Sequence, residues 1–184
     1  MPSLVLPIIL LNTLSAKYAA YYYVASMIQV NLQAIPSAAT QALLTEGSYN
    51  ETELKKYVKK AIAIISVLLI PAIALIVLGG NVVLQFFGKN YAIEGLQLLR
   101  LFSISTLFTA VLFIANAIMN VKQRIKTLVL LNIMASALTL GLSYAFISGG
   151  LDGVGWGWTL GQAIAGAVSG LFLIQVFLHA HPKP

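Results

Sequence analysis

Five long runs that are almost free of charge constrain this chain more than any other feature. They are Tyr18–Leu44, Ala61–Leu78, Leu96–Met119, Leu128–Phe146 and Val154–Leu178, and Arg100 is the one charged residue within them. A helix of ~20 mostly apolar residues crosses the ~30 Å hydrocarbon core of a bilayer. Within that core the backbone must satisfy its own donors and acceptors, which helices do. The runs therefore predict an all-α integral membrane protein in one helical-bundle domain, with five full spans. Charged residues make up only 9% of the chain, against roughly 25% in soluble proteins. Sixteen charged side chains (11 Lys+Arg and 5 Asp+Glu) could not cover a soluble fold of 184 residues. Soluble enzymes, nucleic-acid binders and disordered chains are excluded on this ground.

A sixth apolar piece, Leu4–Leu14, is too short to span: at ~1.5 Å per residue it covers about 17 Å. It reads as the end of a helix whose start is missing, which makes the expected unit five full helices plus a truncated first one, or as a piece that lies in the interface. No Lys or Arg precedes Lys17, so the start does not read as a secretory signal. The connections are expected at Thr45–Lys60, Gly79–Gly95, Asn120–Thr127 and Ile147–Gly153. The segments on one side of the bilayer, with the C-terminal tail, hold eight Lys and Arg; the other side holds three, Lys17, Lys89 and Arg100. The positive-inside rule then places the first set, and the C-terminus, in the cytoplasm. The sequon Asn50-Glu51-Thr52 falls on that side and reads as chance.

Hydrocarbon rewards no polar group, so polar positions inside the spans carry the information. Tyr22, Ser26, Gln29, Gln33, Ser37 and Thr40 recur at helical spacing and fall on one face of the first full span, with Asn31 opposite. That face must meet protein or water, as the wall of a hydrophilic path or as interhelical hydrogen bonds. Ser105, Thr109, Asn116 and Asn120 share a face of their span, and Asn132, Ser136, Thr139 and Ser143 share another. Arg100 can snorkel to the interface or hold an anion in a bidentate grip. Pro36 and Pro71 each remove a backbone hydrogen bond and predict a bend. Gly153, Gly157 and Gly161 repeat every four residues in the last span, a spacing that lets helix backbones approach closely.

The absences narrow the chemistry. There is no Cys, and no span contains Asp or Glu. The two histidines, His179 and His181, lie in the tail. No phosphate-cradling Gly-Lys loop, metal-binding His pair or nucleophile with a base is present. Neither a catalytic residue, a metal site nor a cofactor is expected.

The order of certain segments resembles a known family. Tyr18-Ala-Ala-Tyr-Tyr-Tyr-Val-Ala opens the first full span and Ala34-Ile-Pro-Ser-Ala-Ala-Thr-Gln-Ala-Leu-Leu closes it. Leu84-Gln-Phe-Phe-Gly-Lys-Asn-Tyr follows the next span, Asn116-Ala-Ile-Met-Asn-Val-Lys-Gln-Arg begins a basic turn, and Leu151-Asp-Gly-Val-Gly-Trp-Gly-Trp enters the last span. Together they resemble the C-terminal lobe of polysaccharide-biosynthesis flippases (Wzx-like) of the multidrug/oligosaccharidyl-lipid/polysaccharide exporter superfamily. The resemblance implies a non-enzymatic transporter that moves a polyprenyl-linked oligosaccharide across the cytoplasmic membrane by alternating access. It implies a second lobe, from the same longer chain, a second copy or a partner subunit. Tyr22, Ser26, Gln29, Gln33, Ser37, Thr40, Arg100 and Asn116 are then candidates to line the substrate path. A multidrug exporter of the same superfamily and a non-transporting accessory membrane subunit are the alternatives.

Overall fold

In the computed structural model, which describes residues 2–178, six α-helices follow one another. They are α1 (Pro2–Thr13), α2 (Ala16–Tyr49), α3 (Leu54–Gln85), α4 (Lys89–Val121), α5 (Ile125–Ala145) and α6 (Gly150–Leu178). Short 3-10 turns at Glu51–Glu53 and Ile147–Gly149 link α2 to α3 and α5 to α6. The helices are longer than the apolar runs that define them. Thr45–Tyr49 closes α2 and Leu54–Lys60 opens α3, so the expected loop at 45–60 shrinks to residues 50–53. The expected connection at Gly79–Gly95 shrinks to Phe86–Gly88. Lys, Glu and Gln are good helix formers, so the hydrogen-bond ladder continues past the hydrocarbon boundary that hydropathy marks. Both α2 and α3 also run unbroken through Pro36 and Pro71.

Among the described residues four helical segments are both long and apolar enough to cross a membrane: Leu54–Gln85, Lys89–Val121, Ile125–Ala145 and Ile147–Ile174. The expectation of five full spans differs at α2. Its 34 residues are more than long enough, but its Tyr, Gln, Ser, Thr and Asn side chains lower its hydropathy below that of the others. The short first apolar segment is the 12-residue α1.

Burial identifies the centre of the bundle. In the most apolar stretch of α4, 67% of residues are buried, against 22% in α3 and 17% in α5. Helices α2, α3 and α6 pack around α4, and α5 packs chiefly on α6. One apolar core joins the C-terminal half of α2 to α3 and to α4 through Leu43, Leu69 and Ile118. A second joins α1, the start of α2, α4 and α6 through Leu6, Tyr22, Phe102 and Trp158. The uncovered side of α3 carries Val67, Ile70, Leu75 and Leu78, all more than half exposed, as a lipid-facing surface requires.

Candidate functional site

The polar face of α2 turns into the bundle. Tyr22, Gln29 and Thr40 are buried, and Ser26, Gln33 and Ser37 are half-buried. Gln29 is the member that reaches another helix: its Nε2 donates to the Phe102 carbonyl (3.2 Å) and to Ser105 Oγ (2.9 Å) on α4. The hydroxyls of Ser26 and Thr40 donate to carbonyls of their own helix, those of Tyr23 and Pro36. Such bonds let Ser and Thr sit in an apolar helix at little cost. The Tyr22 ring stands edge-on to Phe102, with centroids 5.5 Å apart. Its hydroxyl and the Trp158 indole N–H, both beside Phe102, are buried without a hydrogen-bond partner among the described residues.

The polar face of α4 is shared among three partners at successive heights. Ser105 accepts from Gln29 of α2. One turn on, Thr109 Oγ1 donates to Gln162 Oε1 of α6 (3.2 Å). Two turns further, Asn116 pairs with Asn132 of α5. Gln162 also donates from Nε2 to Thr139 Oγ1 of α5 (3.2 Å), so a single buried amide ties α4, α5 and α6 together. Gln162 escaped the sequence reading because a lone Gln among Gly and Ala shows no stripe. Its signal was a bulky amide placed between the small residues Gly161 and Ala163 near the middle of a span.

Arg100 is half-buried in the N-terminal half of α4, about three turns after the helix begins at Lys89. Its Nε donates to the Val77 carbonyl of α3 (3.1 Å). The guanidinium thus braces α3 against α4. It stands apart from Asn116, which lies 16 residues and roughly 24 Å along the same helix. The structure therefore does not gather the candidate path residues into one cluster: Gln29 and Asn116 hold helices together at different heights, and Arg100 is spent on α3.

Gly153, Gly157 and Gly161 are spent on α5. A Cβ on Gly157 would run into the Leu142 carbonyl oxygen, and one on Gly161 would stand 2.6 Å from Thr139 Cα. Only hydrogen fits where the two backbones meet this closely. The stripe is covered within the bundle by α5.

Two open surfaces differ from the plain aliphatic sides of α3 and α5. The outer face of α2 exposes Asn31, Gln41 and Thr45 among the alanines Ala34, Ala38 and Ala42. Asn31 there bonds its own backbone at Met27, and Gln41 donates to Ser37 Oγ. The other is an apolar groove of about 620 Å³ between α3 and α6, floored by Leu107, Ala110 and Ile114 of α4. Among the described residues no cluster of His, Asp or Glu could hold a metal. No family model, no curated protein and no solved structure matches this chain.

Proposed function

We propose that this chain is one lobe of a flippase that carries lipid-linked oligosaccharide across the cytoplasmic membrane. The observation that carries the reading is the outer face of α2. On α3 the uncovered side is aliphatic, but on α2 Asn31, Gln41 and Thr45, with the alanines between them, share the uncovered side with Tyr23, Met27 and Val30. A lipid-facing helix gains nothing from that composition, since amides at membrane depth belong against protein or a water-filled cavity. A second lobe placed against this face would enclose a path walled by amides, hydroxyls and small side chains. Sugar hydroxyls can exchange hydrogen bonds with such a wall without a full charge being buried. The order of segments that resembles the exporter superfamily points the same way. Within the inward stripe, Gln33 and Ser37 are half-buried beside this face and remain the better path candidates; Gln29 is committed to α4. The test uses the chromosomal allele. Asn31→Leu combined with Gln41→Leu should reduce surface polysaccharide severalfold at unchanged protein level. Undiminished export at normal protein level would remove α2 from the path.

A further inference from the structure

We propose that the groove between α3 and α6 holds one anionic glycerophospholipid, its phosphate on Lys55 and Lys59 and one acyl tail lying along α3. Lys55, Lys59, Ile62, Ser66 and Ile70 line the groove from the α3 side. They recur at three- and four-residue steps, so they form one face of the helix. Leu107 and Ile114 of α4 form the floor, and Gly170 and Ile174 of α6 the far wall. From Lys59 to Ile70 is 11 residues, or about 17 Å of rise. Half of the ~30 Å hydrocarbon core is ~15 Å, so the groove accommodates a tail from one leaflet and ends near the midplane. Its volume of about 620 Å³ lies within the ~300–1,000 Å³ typical of small-molecule clefts.

The charge at the mouth distinguishes this groove from an ordinary lipid-facing crevice. Four lysines lie within one and a half turns of α3, and they divide into two pairs. Lys56 binds Glu53 at 3.0 Å and Lys60 binds Glu46 at 3.0 Å. The Lys56 ammonium holds the exposed Glu53 carboxyl below the usual carboxylate range. Lys55 and Lys59, the pair that lines the groove, make no ion pair among the described residues. Residues four apart on a helix stand ~5–6 Å apart at Cβ, close enough for both ammonium groups to reach one phosphate. A zwitterionic lipid offers the same tail, but its own cation competes for the phosphate; a headgroup of net negative charge leaves the phosphate to the lysines. The inference rests on membrane embedding and on this geometry alone, so it stands or falls separately from transport.

The test is native mass spectrometry of the purified protein released from micelles, with phosphatidylglycerol or phosphatidylcholine titrated in. Wild-type protein should retain one phosphatidylglycerol in preference to phosphatidylcholine. Lys55→Gln with Lys59→Gln should weaken retention roughly thirtyfold, from two lysines near one phosphate. Lys56→Gln with Lys60→Gln removes the same charge away from the groove and should change it little. Gly170→Leu should block the tail while the fold survives, because a Cβ there meets only Val111 Cγ1 at an ordinary 3.7 Å. Equal losses from the two lysine pairs would overturn the proposal, as would full retention in Gly170→Leu. Equal binding of phosphatidylcholine, or binding of a polyprenyl phosphate with none of phosphatidylglycerol, would also overturn it.

Discussion

The side-chain amides of Asn116 and Asn132 face each other across α4 and α5, and each donates to the other, at 3.2 and 2.9 Å. Asn132 Nδ2 also donates to the Leu128 carbonyl of its own helix. The two helices are consecutive but share a thin interface, because α5 leans on α6. The reciprocal amide pair therefore fixes their register where apolar packing is sparse. Hydrogen bonds between helices in a bilayer contribute ~0.6 kcal/mol on average and up to about 1.7 kcal/mol. The symmetric, half-buried arrangement belongs toward the upper end. Asn116→Leu and Asn132→Leu should each destabilise by about 1–2 kcal/mol, since each strands one amide. The double variant should lose less than the sum. Unfolding with SDS in mixed micelles gives the cycle, and strict additivity would show that the pair is not coupled.

Glycines in this chain divide by what stands opposite them, and alanine substitution separates the two kinds. Gly157→Ala drives a methyl into the Leu142 carbonyl oxygen, a backbone atom that cannot step aside as a side-chain tip can. Overpacking of that kind costs ~1–3 kcal/mol, and Gly161→Ala, against the Thr139 backbone, should cost a similar amount. Gly79 and Gly141 are also helical, but a Cβ on either meets nothing within 4 Å. Alanine there should stabilise by about 0.5–1 kcal/mol, by removing unfolded-state freedom. The same micelle titration reads both signs. A neutral Gly157→Ala would mean that α5 and α6 do not meet as closely as described.

The turn between α4 and α5 ends on a residue of the wrong type for its backbone. Gln123 has φ 54°, in the left-handed region that favours glycine. The Gln123 N–H bonds the Asn120 carbonyl and the Arg124 N–H bonds the Met119 carbonyl, at 3.0 and 2.8 Å. This is the paired closure of a Schellman cap, whose left-handed position is usually glycine. Gln123→Gly should therefore raise stability by about 0.5–1 kcal/mol. Gln123→Val should lower it, because a β-branched side chain tolerates that backbone worst. Thermal unfolding followed by circular dichroism would report the opposite shifts.

Hydropathy and helical period were sufficient to read an all-helical membrane bundle, the order of its helices and the close approach at Gly157 and Gly161. Each depends on properties local to one segment: the cost of a bare backbone in hydrocarbon, and the four-residue spacing of small side chains. Period also showed that the face from Tyr22 to Thr40 must meet protein or water. It could not say which, because that depends on Phe102 and Ser105, more than 70 residues away, arriving opposite Gln29. The helix ends were misjudged for a related reason. Hydropathy marks where a chain leaves lipid, whereas the ladder of backbone bonds continues through Leu54–Lys60 as long as each residue permits it. Gln162 and the groove belong wholly to tertiary structure. One amide becomes a three-helix tie only when Thr109 and Thr139 stand on either side of it. Likewise, Lys59, Ile114 and Gly170 share a groove only once α3, α4 and α6 pack together. A sequence reports what each face of a helix can tolerate, and packing selects the neighbour that covers it.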